Sequence, residues 1–356
     1  MSLDNFHVVI LAGGQGSRFW PVSRLKKPKQ FLSIASNGES LIQATARRVK
    51  KISDKDRLWI ITNSLHKELI EKSVSDAQVV CEPIGRNTAA SIGLAAVYLQ
   101  KIDPKAVMLV LPADHAVSNE DLMVDTVILA MNAAAEKDVL VTIGIKPKSP
   151  HTGYGYIKSA DKISDNVYKV ARFFEKPNLE RATKYVESGD FYWNSGMFAW
   201  SVESILSSIK TYLPAMHEEL LKIQAAIGTD KEHAVLEEIF PTLESISVDF
   251  AILEHAKNCL VIEAPDFGWN DVGSWDAWAE HFAKDDNGNL LHGDVMVIDS
   301  KNCVVHSEKR MAAVIGADNL IVIDAGDALL VCPREHVQDV RKVVEELKKL
   351  GRKELI

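Results

Sequence analysis

The chain has 356 residues, of which 47% are hydrophobic, 25% charged and 7% aromatic, and its formal net charge is −8. That length exceeds one average domain and predicts a large catalytic unit with a smaller appendage, and the composition suits a well-buried globular protein. The acidic balance argues against a nucleic-acid surface, which needs a basic face to neutralise backbone phosphates. The longest apolar runs, such as residues 106–113, fall far short of the roughly 18 residues of a membrane helix.

Residues 1–5 carry no basic segment leading into an apolar run, so no signal peptide is expected. Short β-branched runs then alternate with helical stretches: a strand over 7–12, a helix over 41–50, a strand over 58–62 and a helix over 64–74. An Ala-rich helix over 91–101, a strand over 107–111, a helix over 121–137 and a strand over 139–145 continue the alternation. This predicts an α/β, Rossmann-like domain with a mixed but mostly parallel sheet. After Pro150 the texture changes to Gly/Tyr-rich strands over 152–158 and 168–175, a helix over 179–188 and a strand over 195–200, read as an insertion covering one end of the sheet. Helical segments over 202–255, a strand over 260–263 and an aromatic loop over 267–278 close the first domain near residue 284. From His292, strands over 294–298, 303–306, 312–316, 320–323 and 328–331 recur every eight to ten residues, which predicts a small β-solenoid or barrel ending in a helix over 335–350. The expected domains are therefore 1–284 and 285–356. Cys81, Cys259, Cys303 and Cys332 lie far apart without CxxC spacing, so neither disulfides nor zinc are expected, and a reducing cytoplasm fits.

The first strand runs into Gly13, Gly14, Gln15 and Gly16, where missing Cβ atoms let backbone N–H groups approach an anion together. Residues 5–38 contain no Asp or Glu yet carry Arg18, Arg24, Lys26, Lys27 and Lys29. Neither the Walker pattern nor GxGxxG fits, since no GKS/T follows and Phe19 stands where the third glycine belongs. A bare Gly-Gly pair is explained by a structural turn; the acid-free basic segment with Pro28-Lys29 points instead to a triphosphate cradle.

Four further constellations follow. Glu82, Pro83, Gly85, Arg86, Asn87 and Thr88 precede the Ala-rich helix, where Asn87 or Thr88 suits either a helix cap or a ligand contact. Asp114 follows the strand over 107–111, at the end of an α/β sheet where ligands bind, and can supply a carboxylate to Mg²⁺ or simply face solvent. His115 beside it suits orienting Asp114 or plain packing. Asp271 lies among tryptophans and glycines in residues 267–275, as a second cation ligand or as the cap of a helix starting near Ser274. Glu175 and Lys176 read as an ordinary surface pair on their own.

Taken together, LAGGQGSRFWPVSRLKKPKQF, EPIGRNTA, FGWNDVGSW, FFEKP and WNSGMF resemble the sugar-1-phosphate nucleotidylyltransferases, and RFWP, SR and PKQF are similar to the mannose-1-phosphate guanylyltransferase branch. The resemblance covers about the first 280 residues. It implies that Leu11, Ala12, Gly13, Gly14, Gly16, Ser17 and Arg18 hold the triphosphate of GTP, that Lys29 contacts its phosphates, and that Arg18 balances the departing pyrophosphate. It implies that Glu82, Pro83, Gly85, Arg86, Asn87 and Thr88 lie against guanine and ribose. Glu175 and Asn194, followed by Ser195, would bond sugar hydroxyls, Lys176 would meet the sugar phosphate, and Gly155 would let mannose 1-phosphate lie against the backbone. Asp114 and Asp271 would hold Mg²⁺. Also implied are GDP-mannose as product, a homodimer, a short left-handed β-helix at the C-terminus, and no isomerase activity, because no cupin segment follows residue 356. The same fold and metal site also suit another NTP and hexose 1-phosphate, or a non-catalytic GDP-mannose-binding regulator.

Overall fold

The computed structural model describes residues 5–33, 38–53, 56–136 and 138–356. The chain start at residues 1–4 and Lys137, the expected last residue of one helix, lie outside the described residues. Two compact units are present, each assembled from separated pieces of chain: Met1–Gly13, Thr45–Ala113 and Val117–Trp269 form one, and Gly14–Ala44, Asp114–Ala116 and Asn270–Ile356 the other. The linear boundary near residue 284 thus falls inside the second unit.

The first unit is built on a nine-stranded mixed sheet. Its strands are β1 (Phe6–Ala12), β2 (Leu58–Asn63), β3 (Gln78–Glu82), β4 (Val107–Pro112), β5 (Leu140–Ile145), β6 (Tyr156–Ser164), β7 (Val167–Phe174), β8 (Phe191–Ser201) and β9 (Cys259–Glu263), in the order β3-β2-β1-β4-β8-β5-β9-β7-β6. In the parallel run β3-β2-β1-β4, the strands β2, β1 and β4 carry mostly apolar sequence because both their faces are covered, and Val8, Val9 and Ile10 are wholly buried. Strand order reverses at β1, whose neighbours are β2 and β4. The carboxyl ends of β1 and β4 therefore form a topological switch point, the place where open α/β sheets bind ligands. There the chain leaves β1 into Gly13 and β4 into Ala113, and Ala113 N–H donates to the Leu11 carbonyl at 3.1 Å.

The helices in chain order are α1 (Leu41–Val49), α2 (Lys67–Ser73), α3 (Asn87–Ile102), α4 (Glu120–Glu136), α5 (Leu179–Ser188), α6 (Val202–Tyr212), α7 (Pro214–Ala226) and α8 (Glu232–Ile239). The Ala-rich α3 is apolar around most of its circumference and is accordingly packed on several sides. At Gly93 a Cβ would come within 2.6 Å of Leu220 on α7, so glycine is what permits that approach.

Two expectations change here. The sequence reading places no strand over 78–82; this five-residue edge strand begins and ends in polar residues and lacks the apolar run that marks its neighbours. The Gly/Tyr-rich stretch was expected to cover one end of the sheet, but β6 and β7 extend the sheet itself, and residues 152–155 form the turn before β6.

The second unit contains α9 (Trp275–Ala279), β10 (Leu290–Ile298), β11 (Val304–Ile315), β12 (Leu320–Asp324), β13 (Leu329–Pro333) and α10 (Val340–Lys349). Strands β10, β11 and β12 pair in parallel, and β13 turns back antiparallel. The strands expected over 303–306 and 312–316 are one long strand, because the residues between them stay extended through a register shift opposite Gly293 and Val295. Gly293 has φ +95°, and a Cβ there would overlap the Ser307 carbonyl at 2.0 Å. The core of this unit joins Phe19, Trp20, Val272, Trp275 and Trp278 to Ile321, Ile323, Val337 and Val344.

Asn289, fully buried, stitches the first coils of the solenoid. Its Nδ2 donates to Asp285 Oδ2 at 3.0 Å and to the Ser300 carbonyl at 2.9 Å, and its Oδ1 accepts from Cys303 N–H at 2.9 Å. Asn289→Ala leaves those partners unmatched, which should cost about 2–3 kcal/mol. Urea unfolding followed by tryptophan fluorescence should show a lower midpoint with an unchanged slope.

Candidate active site

The second unit holds the basic loop. Gly16 (φ +62°) starts a short 3₁₀ turn, Ser17–Phe19, and Lys29 starts another, Lys29–Phe31. A Cβ on Gly16 would lie 2.3 Å from Lys29 Cβ and 3.1 Å from Lys29 N. Both the positive φ and the missing side chain are therefore required there. The glycine read from sequence as an anion cradle is also the seat of the catalytic lysine candidate.

Lys29 is 6% exposed. Its ammonium donates to Asp114 Oδ2 at 2.6 Å and to the Asp271 carbonyl at 2.6 Å. An ammonium has three N–H donors, so one is left over. Burial favours the protonated form of the half-buried Asp114, but the Lys29 ammonium, with His115 4.0 Å away, outweighs it and holds the carboxyl below its ordinary value. Asp114 is thus an ionised, anchored group and not a loosely solvated strand end.

Two backbone bonds fix the segment carrying Asp114 to the one carrying Asp271: Ala116 N–H to the Asn270 carbonyl at 2.9 Å, and Asn270 N–H to the Ala116 carbonyl at 3.1 Å. Asp271 Oδ1 accepts from Gly273 N–H at 3.1 Å, and a Cβ on Gly273 would strike Asp271 Oδ2 at 2.6 Å. The cap of α9 is Ser274, whose hydroxyl accepts from Ala277 N–H, so Asp271 is released from that duty. The loop is walled by rings. Phe19 packs on Trp275 with centroids 5.1 Å apart, Trp275 Nε1 donates to the Trp20 carbonyl at 3.3 Å, and Trp20 Nε1 donates to the Leu355 carbonyl at 2.8 Å. Arg24 also turns to this C-terminal end, bonding Leu355 and pairing with Asp327 at 2.6 Å. Arg18 has no ion pair among the described residues.

In the first unit, Gly13 follows β1, and a Cβ on it would lie 3.4 Å from Glu82 Oε2. Glu82 is 2% exposed; burial raises its carboxyl to about 7 against the opposing bond from the Ser91 hydroxyl. Leu11 and Ala12 use their carbonyls within the sheet, the latter for Thr62 Oγ1 at 3.2 Å. Around Gly14 and Gly85 the space a side chain would take is open. Asn87 and Thr88 are not the cap of α3, whose N-cap position is Arg86 without a side-chain cap bond. Thr88 Oγ1 accepts from Val248 N–H at 2.9 Å, Asn87 Oδ1 accepts from Thr88 N–H at 2.8 Å, and Arg86 donates to the Pro241 carbonyl. Pro83 has no polar side-chain group to place.

A separate cluster in the same unit gathers Gly155, Glu175, Lys176 and Asn194. Asn194 N–H donates to the Gly155 carbonyl at 2.9 Å, and a Cβ on Gly155 would lie 2.7 Å from Glu175 Oε2 and 3.4 Å from Asn194 Cβ. Lys176 pairs with Glu175. Ser195, by contrast, is buried and turns away, donating to the Ile143 carbonyl at 2.6 Å. Sequence reading missed Asp249, which accepts from Asn194 Nδ2 at 2.7 Å. Its one signal was a lone acid ahead of the apolar residues 250–253.

Backbone strain marks the same motifs. Among the described residues, seven non-glycine positions have positive φ; five are Asn or Asp, which tolerate it, and the other two are Lys176 (+44°) and Val272 (+46°). A β-branched residue in that region persists only where its surroundings impose it, a pattern that clusters at functional sites.

Comparison with known proteins gives a consistent result. A nucleotidyl transferase family model matches residues 7–288, and a MannoseP isomerase/GMP-like beta-helix domain model matches residues 293–347. The chain is 39% identical to mannose-1-phosphate guanylyltransferase of Klebsiella pneumoniae, over 97% of this chain and 74% of that one. It is 38% identical to the enzyme of the same name from Escherichia coli K12, over 99% and 76%. A crystal structure described as mannose-1-phosphate geranyltransferase from Thermus thermophilus superposes with a TM-score of 0.87 at 31% identity, covering 97% of this chain and 99% of that one.

Two predictions come from this geometry. Gly16→Ala should push Lys29 off its two acceptors and lower turnover at least tenfold, with the far-UV circular dichroism spectrum retained; steady-state kinetics checks it. Glu82 holds a proton more tightly folded than unfolded, so it contributes stability below its unfolded value of 4.5 that is lost as pH rises through about 7. Glu82→Gln should therefore be the more stable protein at pH 8, by on the order of 2–3 kcal/mol, with the gap closing toward pH 5 in paired melting curves.

Proposed function

The chain belongs to the nucleotidyl transferase family, in its mannose-1-phosphate guanylyltransferase branch, and from that membership we propose that it transfers GMP from GTP to α-D-mannose 1-phosphate. The observation that carries this reading is the buried Lys29 ammonium, tied to Asp114 and to the Asp271 carbonyl with one donor left over, in a basic loop free of acids. A phosphate monoester is already anionic at neutral pH, so its oxygen attacks the α-phosphorus of GTP without a protein nucleophile. A new P–O bond forms, the bond to the β-phosphate breaks, and pyrophosphate leaves with the electron pair as GDP-mannose is produced.

The protein's part is positioning and charge neutralisation. Lys29 offers its third N–H to a phosphate oxygen, Arg18 meets the charge that accumulates on pyrophosphate, and the amides of Gly13, Gly14 and Gly16 line the triphosphate. Glu82, Pro83, Gly85, Asn87 and Thr88 serve guanine and ribose. In the cluster of Gly155, Glu175, Lys176 and Asn194, the acid and amide bond sugar hydroxyls and Lys176 meets the sugar phosphate.

The described residues contain no group of three or more His, Cys, Asp or Glu able to hold a metal ion. Mg²⁺ commonly takes only one or two carboxylates and completes its shell from phosphates and water, and Asp114 and Asp271 fit that pattern as acids of one compact unit. Held by these two residues, Mg²⁺ would supply charge neutralisation at the reacting phosphates. No helix among the described residues is long and apolar enough to cross a membrane; the cytoplasmic, homodimeric state is proposed from the family.

Pyrophosphate release should be measured with each nucleoside triphosphate against each hexose 1-phosphate in the presence of Mg²⁺. GTP with mannose 1-phosphate should be fastest, another pair in front would reassign the substrates, and silence from all of them would favour a non-catalytic binder. Asp114→Asn and Asp271→Asn should each lower turnover by at least about two orders of magnitude with the far-UV circular dichroism spectrum retained, as should a chelator acting on the wild type; Asp114→Asn should in addition lower Tm, because it deprives the buried Lys29 ammonium of its carboxylate partner. Near-normal release from both variants would remove the metal assignment.

A further inference from the structure

Asp249 opens a π-helical turn, Asp249–Leu253, in the segment between α8 and β9. Such turns are rare and occur frequently at functional sites. What this one aims is a half-buried carboxylate at Asn194: Asp249 Oδ1 accepts from Asn194 Nδ2 at 2.7 Å. On its other side the same amide is equally constrained, with Asn194 Oδ1 accepting from Gly196 N–H at 3.1 Å and from Thr142 Oγ1 at 3.3 Å. The orientation of the amide is thereby dictated. A flip would set its oxygen against a carboxylate and its nitrogen against two donors.

With Oδ1 facing two donors and one N–H given to Asp249, a single amide hydrogen is left, and it has no acceptor among the described residues. It belongs to the cluster in which Glu175 Oε2 lies 2.7 Å from where a Cβ of Gly155 would sit. Asp249 is an expensive choice for a merely structural tie. Burial first, and then the nearby Glu175 carboxylate, raise it to about 6, opposed by the Asn194 bond and by Lys176. A neutral acceptor would hold the turn without that repulsion.

We propose that Asp249 is a positioning residue for the sugar: by locking the Asn194 amide it aims the remaining N–H at one hydroxyl and so sets the choice among hexose 1-phosphates. The inference rests on the reading of Gly155, Glu175 and Asn194 as the sugar-phosphate cluster. Asp249 itself acts through Asn194.

The test compares wild type, Asp249→Asn and Asp249→Ala by KM for mannose 1-phosphate, KM for glucose 1-phosphate, KM for GTP, and Tm. Asp249→Ala should raise KM for mannose 1-phosphate about tenfold or more, the loss expected when a hydrogen bond to a charged acceptor goes. The preference for mannose 1-phosphate over glucose 1-phosphate should narrow, while KM for GTP stays within twofold. Asp249→Asn keeps the shape and a weaker acceptor and should fall between the two, at roughly threefold to fivefold. Should Asp249→Ala fail to fold, Asp249→Asn alone decides on the same comparison. Unchanged hexose selectivity in an active variant, or equal rises in both KM values together with a lower Tm, overturns the proposal. A wild type that turns over no hexose 1-phosphate defeats the underlying functional reading and this inference with it.

Discussion

A buried ammonium must have its donors matched or it will not stay charged, and in this protein that requirement falls on Lys29. The Asp114 carboxylate and the Asp271 carbonyl meet two of its N–H groups, and much of the second unit can be read as what is needed to bring those three atoms together. Gly16 vacates the space that Lys29 Cβ fills. Ala116 and Asn270 exchange backbone bonds so that two distant segments of chain share one register. Val272 accepts a left-handed backbone and Gly273 gives up its side chain so that Asp271 can present a carbonyl to the lysine while its carboxylate stays folded back on the loop. Phe19, Trp20, Trp275 and Trp278 keep the surrounding volume dry.

The electrostatics follow the same logic at a larger scale. A chain with net charge −8 repels anions on average, so a triphosphate needs a local stretch that is rich in basic groups and poor in acids. Residues 5–38 are cleared of them entirely. The basic residues there do not all serve one purpose, however. Lys29 is held by the acids of the candidate site, while Arg24 is drawn off to Asp327 and the Leu355 carbonyl, where it pins the loop to the end of the chain. A count of lysines and arginines treats both alike; only their partners separate them.

That distinction describes what was legible in the sequence. The βα alternation, the switch to short strands after His292, the helix over 179–188 and the motifs carrying Lys29, Asp114, Asp271, Glu175 and Asn194 could all be read, because each rests on local periodicity or on a contiguous string of residues. Contacts between distant strings could not. That Asp114 pairs with Lys29, that Thr88 serves Val248 and not its own helix, and that Asp249 governs Asn194 are facts about residues 55 to 160 positions apart. The edge strand β3 was missed for the opposite reason: it is too short and too polar to announce itself. The strands over 303–306 and 312–316 were split because polar residues between them looked like a turn, whereas the solenoid keeps them extended.

The discontinuity of the second unit has a consequence for how the protein comes into being. Its piece Gly14–Ala44 is translated before its piece Asn270–Ile356. During synthesis the nine strands β1 to β9 are all complete by residue 263, so the sheet can assemble while Lys29 still lacks the Asp271 carbonyl and Phe19 still lacks the Trp275 ring. The loop that carries Lys29 therefore leaves the ribosome well before the residues that set it. A nascent chain can own a finished sheet and remain inert, with competence arriving only when the final coils close over a segment translated more than two hundred residues before.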